Sequence, residues 1–108
     1  MTEIRTMALA KLLTEFTNGD QTSWDEERAW LLRHHPRRMA RIEAEIADGN
    51  FPPIRLDFAE QCVIDGHHRI IAAERLGRQT VPVANAWDGS EWWFLASDQG
   101  GDDPEPAP

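Results

Sequence analysis

The stretch CVIDGHHRIIAAERLGRQTVPV, residues 62–83, decides how the rest of the chain is read. Cys62-Val63-Ile64 is a short apolar run of strand-forming residues. Ile70, Ala73 and Leu76 recur at helical spacing, and Gly77 stands where a helix C-terminus takes a left-handed residue. A helix is predicted over His67–Leu76, with Ile64, Ile70, Ala73 and Leu76 in the core. Between strand and helix lies Asp65-Gly66-His67-His68-Arg69, too polar for core and too compact for an ordinary loop. Thr80–Ala84 reads as a further strand, in which Pro82 predicts a sheet edge or a bulge.

A strand that ends at Ile64 and a helix that begins near His67 make a joint with chemical consequences. The first backbone N–H groups of a helix have no intrahelical acceptor, and with the helix dipole they attract anions. Gly66 lets a ligand approach the backbone. Arg69 can fork onto two phosphate oxygens. His67 and His68 donate to phosphate or move protons near neutral pH. Asp65 is open to three roles: capping the helix, holding Mg²⁺ beside phosphate oxygens, or orienting a hydroxyl. Adjacent histidines on a helix point about 100° apart, so a zinc site made from the pair is disfavoured. The bland reading of Asp65-Gly66 is a turn with a helix cap; the His-His-Arg that follows shifts the balance to phosphate binding.

Upstream, Met7–Phe16 has the apolar pattern of a short helix stopped at Asn18-Gly19-Asp20. Ser23 and Glu26 form a capping-box pattern opening a helix that runs to about His34. His34-His35-Pro36 makes a corner, and Pro36 starts a third helix with Met39, Ile42 and Ile46 on one face. Pro52-Pro53 stiffens the approach to a strand in which Ile54, Leu56 and Phe58 alternate with Arg55 and Asp57, the period of a half-buried strand. Cys62–Ile64 pairs with it as a hairpin across Ala59-Glu60-Gln61. Downstream, Glu91–Ala96 is apolar, as a strand or a helix, and residues 97–108 read as a disordered acidic tail. One domain over 1–96, with its core in 24–86, is expected.

At 108 residues and 41% hydrophobic content the chain buries one modest core. No run of 18 apolar residues is present, so no membrane partner is expected. The start MTEIRTMALAKLLTEF lacks the pattern of a signal peptide. The single cysteine, Cys62, excludes an internal disulfide, and a cytoplasmic location is expected. The net charge of −8 is unevenly spread. Residues 28–41 hold Arg28, Arg33, Arg37, Arg38 and Arg41 with no acid, whereas residues 88–108 hold six acids and no base. The arginines read first as a solvated helix face and second as contacts to an anion or nucleic acid. Most of the five tryptophans are expected in the core; Trp92 and Trp93 cannot both face inward on a strand, so one is offered to a partner or a second copy.

VIDGHHRIIAAERLGRQTVPV, preceded by MARIEAEIADGNFPPIRLD, resembles the phosphate-binding motif of the ParB/sulfiredoxin-like superfamily. The resemblance covers about Ala29 to Val83. It implies an α+β fold with helices first, then a small mixed sheet on which the motif helix packs. ParB partition proteins bind a cytidine nucleotide through a Gly-Glu-Arg-Arg version of the motif, so Arg69 keeps the terminal arginine while His67 replaces the acid. Sulfiredoxin has a cysteine where this chain has His67, and Cys62 lies in the strand instead, so sulfiredoxin chemistry is not expected. Free-serine kinases carry Asp-Gly-His-His-Arg itself, with a glutamate upstream as base; Glu26 or Glu27 stands in that role here. The resemblance thus implies a nucleotide ligand (ATP, ADP or CTP), with Mg²⁺ at Asp65, and phosphoryl transfer or nucleotide hydrolysis as the reaction if the chain is an enzyme. The alternative is a DNA-associated or regulatory module that binds a nucleic-acid or protein partner without catalysis. A homodimer is compatible with either.

Overall fold

The computed structural model describes residues 4–20 and 22–87. The chain order is β1 (Arg5–Ala8), α1 (Leu9–Glu15), α2 (Trp24–His34), α3 (Pro36–Ala47), β2 (Ile54–Asp57), β3 (Cys62–Asp65), α4 (His67–Arg75) and β4 (Thr80–Asn85). The strands form one mixed sheet in the order β1-β4-β2-β3, in which β4 and β2 are parallel and both outer pairs antiparallel. This is the α+β arrangement expected from the sequence, with four helices and a small mixed sheet among the described residues. The segment 91–96, with Trp92 and Trp93, and the stretch 97–108 lie outside the described residues.

The expected hairpin is present: Leu56 pairs with Val63 and Asp57 with Cys62, with an irregularity between Arg55 and Leu56. Gln61 takes the positive φ of 53° that closes the turn. The parallel β2–β4 pair requires a crossover, and α4 supplies it. Ile70, Ile71, Ala72 and Ala73 are all buried because α4 packs against α3 on one side and against β2 on the other. A helix covered from two sides needs apolar residues around most of its circumference. Alanine at 72 and 73 lets the neighbouring elements come close. Leu12, Met39, Ile46, Ile54, Leu56, Ile70 and Val81 complete the interior.

Several expectations are corrected. Met7 and Ala8, expected to open the first helix, belong to β1, and the helix starts only at Leu9. The apolar run Met7-Ala8-Leu9-Ala10 fits either structure, and pairing of Met7 with Val81 and Ala8 with Thr80 decides the matter. That same strand places β4 inside the sheet, so Pro82 is not on an edge strand. Pairing of β4 with β2 begins only at Val83, so Pro82 has a partner strand on one side alone. Arg55, expected on a solvent face, is 4% exposed, because both faces of β2 are covered: Ile54, Arg55 and Leu56 are all buried although successive strand residues point to opposite sides. Leu76 is the helix C-cap and is exposed rather than core, and Ile64 is half-buried. Trp30 and Trp87 are 50% and 64% exposed, and Trp24 is half-buried, so these tryptophans are not core residues. Among the described residues, no helix is long and apolar enough to cross a membrane.

Candidate functional site

The joint between β3 and α4 is built around Gly66, the N-cap of α4, at φ 113°. A Cβ at this position would lie 2.8 Å from Ile54 Cδ1 and 3.1 Å from Arg69 Nη2. Gly66 is therefore demanded by the backbone turn and by the close approach of β2. Gly66 also lines the cleft described below. Glycine offers no capping side chain, so the amides of His67, His68 and Arg69 are the orphan donors of a helix start.

Asp65 Oδ2 accepts a hydrogen bond from Arg69 Nη2 at 3.0 Å, and the same nitrogen donates to the Pro53 carbonyl at 3.0 Å. Both side chains are 18% exposed, so the pair is better shielded than a surface ion pair. Arg69 Nε is buried and makes no hydrogen bond. A buried N–H without an acceptor is costly.

His68 Nε2 and His35 Nδ1 lie 2.9 Å apart, with their rings stacked at a centroid separation of 5.1 Å. Burial, then the charges of Arg38 and the neighbouring histidines and Arg69, push the His68 pKa down to about 3. His68 is thus a neutral imidazole in ordinary buffers, and any contact it makes with a phosphate is a hydrogen bond rather than an ion pair. Trp30 stands edge-on to His35 at 5.2 Å and stacks on His34 at 4.5 Å. His67 Nε2 is 2.5 Å from the Asn18 carbonyl oxygen and donates to it. Trp24, whose Nε1 donates to the Phe16 carbonyl, lies tilted beside the His67 ring.

Of the two upstream glutamates, Glu26 completes the capping box. Its Oε1 accepts from Ser23 N at 2.9 Å, while Ser23 Oγ accepts from Glu26 N at 3.0 Å. Glu27 instead lines a cleft of about 470 Å³ shared with Asp65, Gly66, His67, His68 and Arg69. Burial raises its pKa, the charge of His67 opposes that rise, and Asp20 adds to it.

The arginine arc divides into separate fates. Arg28 is held by Glu74 and Asp25 through bonds of 2.6 to 2.7 Å. Arg38, 6% exposed, and Arg41 line the cleft. Arg33 and Arg37 are exposed and stand outside it. Arg28 and Arg33 stand on α2 and Arg37, Arg38 and Arg41 on α3, so the five do not form one helix face.

Cys62 sits in β3, and burial, with Asp57 and Glu60 adding to it, pushes its thiol above the ordinary range. A raised thiol pKa opposes nucleophilic use. Three participants were not anticipated from the sequence. His35 was read as a corner residue, Trp30 as core and Asp20 as a helix stop. His35 owes its place to His68, 33 residues on, and Asp20 to a loop path that no local pattern encodes, whereas Trp30 stacks on its near neighbours His34 and His35. Comparison with protein-family models, with curated proteins and with solved structures finds no match for this chain.

Proposed function

We propose that the cleft binds a phosphate-bearing ligand, a nucleotide being the best fit, and that the domain is of the ParB/sulfiredoxin-like type. The observation that supports this reading is the meeting, in one cleft, of the uncapped start of α4 with Arg38, Arg41 and Arg69. Helix amides supply fixed partial positive charge, and guanidinium groups supply planar donors for phosphate oxygens. Arg69 is held in position by Asp65 and Pro53 and retains an unused Nε donor. Its clamp leaves less side-chain freedom to lose on binding. A cleft of about 470 Å³ falls within the range of small-molecule sites, and the exposed Trp30 ring at its wall offers a surface for a base. Asp65, tied to Arg69, serves the arginine first. Phosphotransferase or nucleotide-hydrolysing chemistry at this site would draw on Glu27, whose raised pKa suits a base, and not on the capping residue Glu26.

The DNA-binding reading has less to draw on, because Arg28 is engaged in ion pairs and Arg38 is buried. The test is calorimetric titration with inorganic phosphate, ADP, ATP and CTP, with and without Mg²⁺. Arg69→Gln and Arg41→Gln should each weaken the best ligand by about tenfold or more, matching the loss of one charged hydrogen bond. Arg33→Gln and Arg37→Gln should leave it unchanged. Equal losses from all four variants, or tight DNA binding with steep salt dependence and no nucleotide binding, would overturn the proposal.

A further inference from the structure

We infer that Asp20, Glu27 and His67 form a site for a divalent transition-metal cation, distinct from the Asp65 position expected from the sequence. Each residue offers one ligand atom, and these atoms lie within 4.8 Å of one another. Ligand atoms around a bound ion, each about 2.0 to 2.2 Å from it, are separated by about 3 to 4 Å, so closure requires side-chain shifts of an ångström or so. The three ligands come from three elements: the loop after α1, the first turn of α2 and the first residue of α4. Asp65 is committed to Arg69 and belongs to no such group among the described residues.

A second feature bears on the histidine. His67 donates Nε2–H to the Asn18 carbonyl, which leaves the lone pair on Nδ1, so Nδ1 would be the nitrogen that binds the ion while this bond is kept. A backbone carbonyl holding one ring nitrogen while the other binds the ion is the usual second-shell arrangement of a metal-ligating histidine. The carbonyl's own loop is fixed, because the buried Asn18 side chain accepts from Asp20 N at 2.8 Å and donates to Thr22 Oγ1 at 2.8 Å. One imidazole nitrogen and two carboxylate oxygens suit Mn²⁺ or Zn²⁺ better than Mg²⁺, which favours oxygen and water. Three protein ligands leave a position open, as in metal sites that act on a substrate. Glu27 and His67 also line the cleft, so the ion would sit at its wall. A bound ion takes up the Glu27 carboxylate, so the base role proposed above belongs to the metal-free protein and the ligand role to the metal-bound one.

The inference does not depend on nucleotide binding, because the metal alone is the probe. The full chain is titrated with Mn²⁺ and followed by electron paramagnetic resonance, with melting curves of each metal-free variant as a folding control. Saturable binding tighter than about 1 mM is expected, displaced by Zn²⁺ and weakened about tenfold or more by Asp20→Asn and Glu27→Gln. Pulsed resonance should show coupling to an imidazole nitrogen that His67→Gln abolishes. The six acids of residues 88–108 offer competing carboxylates without a histidine, and nitrogen coupling separates the two sources. Absence of saturable binding, binding unchanged by Asp20→Asn, or absence of nitrogen coupling would overturn the inference. Phosphate titrated without metal reports the proposed function separately, so failure of one does not imply failure of the other.

Discussion

Gly66→Ala isolates the tightest packing relation in the site. At φ 113° an L-residue is strained, at a cost of about 1–3 kcal/mol. The new methyl would meet Ile54 Cδ1 at 2.8 Å and Arg69 Nη2 at 3.1 Å. Ile54 is fully buried in a close-packed interior, and accommodating a methyl there costs about 1–3 kcal/mol more. The reduced freedom of the unfolded chain returns about 0.4–1 kcal/mol. The net expected loss is therefore about 1–5.5 kcal/mol, a large share of a typical domain's 5–15 kcal/mol. Gly77→Ala is the control: φ is 77°, and nothing lies within 4 Å of its Cβ position. Its expected cost is about 1 kcal/mol or less, since only the backbone strain remains. Urea denaturation of the two variants compares them directly. A Gly66→Ala protein within about 0.5 kcal/mol of Gly77→Ala would show that Ile54 and Arg69 do not crowd the turn, and the account of why glycine stands there would fail.

Other consequences follow from the same contacts. Arg28 joins α2 to α4 through two hydrogen bonds to Glu74, and a double-mutant cycle with Arg28→Gln and Glu74→Gln should give a coupling of about 0.5–1.5 kcal/mol that shrinks in high salt. His68 has a folded pKa of about 3 against an ordinary value of 6.5, so between these values the unfolded chain binds the extra proton and stability falls as pH falls. Above the ordinary value both states are neutral and the contribution is complete. Going from pH 7 to pH 5 should cost about 2 kcal/mol in urea denaturation, a loss largely absent in His68→Gln. Asn18→Ala removes the bonds to Thr22 and Asp20 and should destabilise the fold by about 1–3 kcal/mol in the same assay.

The sequence carried the local part of this structure well. The capping box at Ser23 and Glu26, Pro36 at the first turn of α3, the hairpin and the Gly77 stop of α4 each depend on residues a few positions apart. What it did not carry was set by neighbours distant along the chain. Nothing within residues 5–8 states that they pair with β4, and without that strand Pro82 reads as an edge; Arg55 reads as solvent-facing because its alternation with Ile54 and Leu56 does not tell that both faces of β2 are covered. The Asp-Gly-His-His-Arg string reads as a candidate site, and its members divide their work in ways only contacts define. Asp65 holds Arg69, Gly66 makes room for Ile54, and His68 is neutral beside His35. The choice between Glu26 and Glu27 was open in the sequence because adjacent helix residues point apart by about 100°, and only the packing of α2 says which one meets α4.

The most direct measurement of the central claim is a titration of isotopically labelled protein with inorganic phosphate and with ADP, ATP and CTP, followed by backbone amide and arginine Nε resonances. The account predicts that the largest shifts fall on the amides of His67, His68 and Arg69 and on Nε of Arg38, Arg41 and Arg69. Shifts centred on the β1–β4 face or on Arg33 and Arg37, or no shifts with any of these ligands, would contradict it.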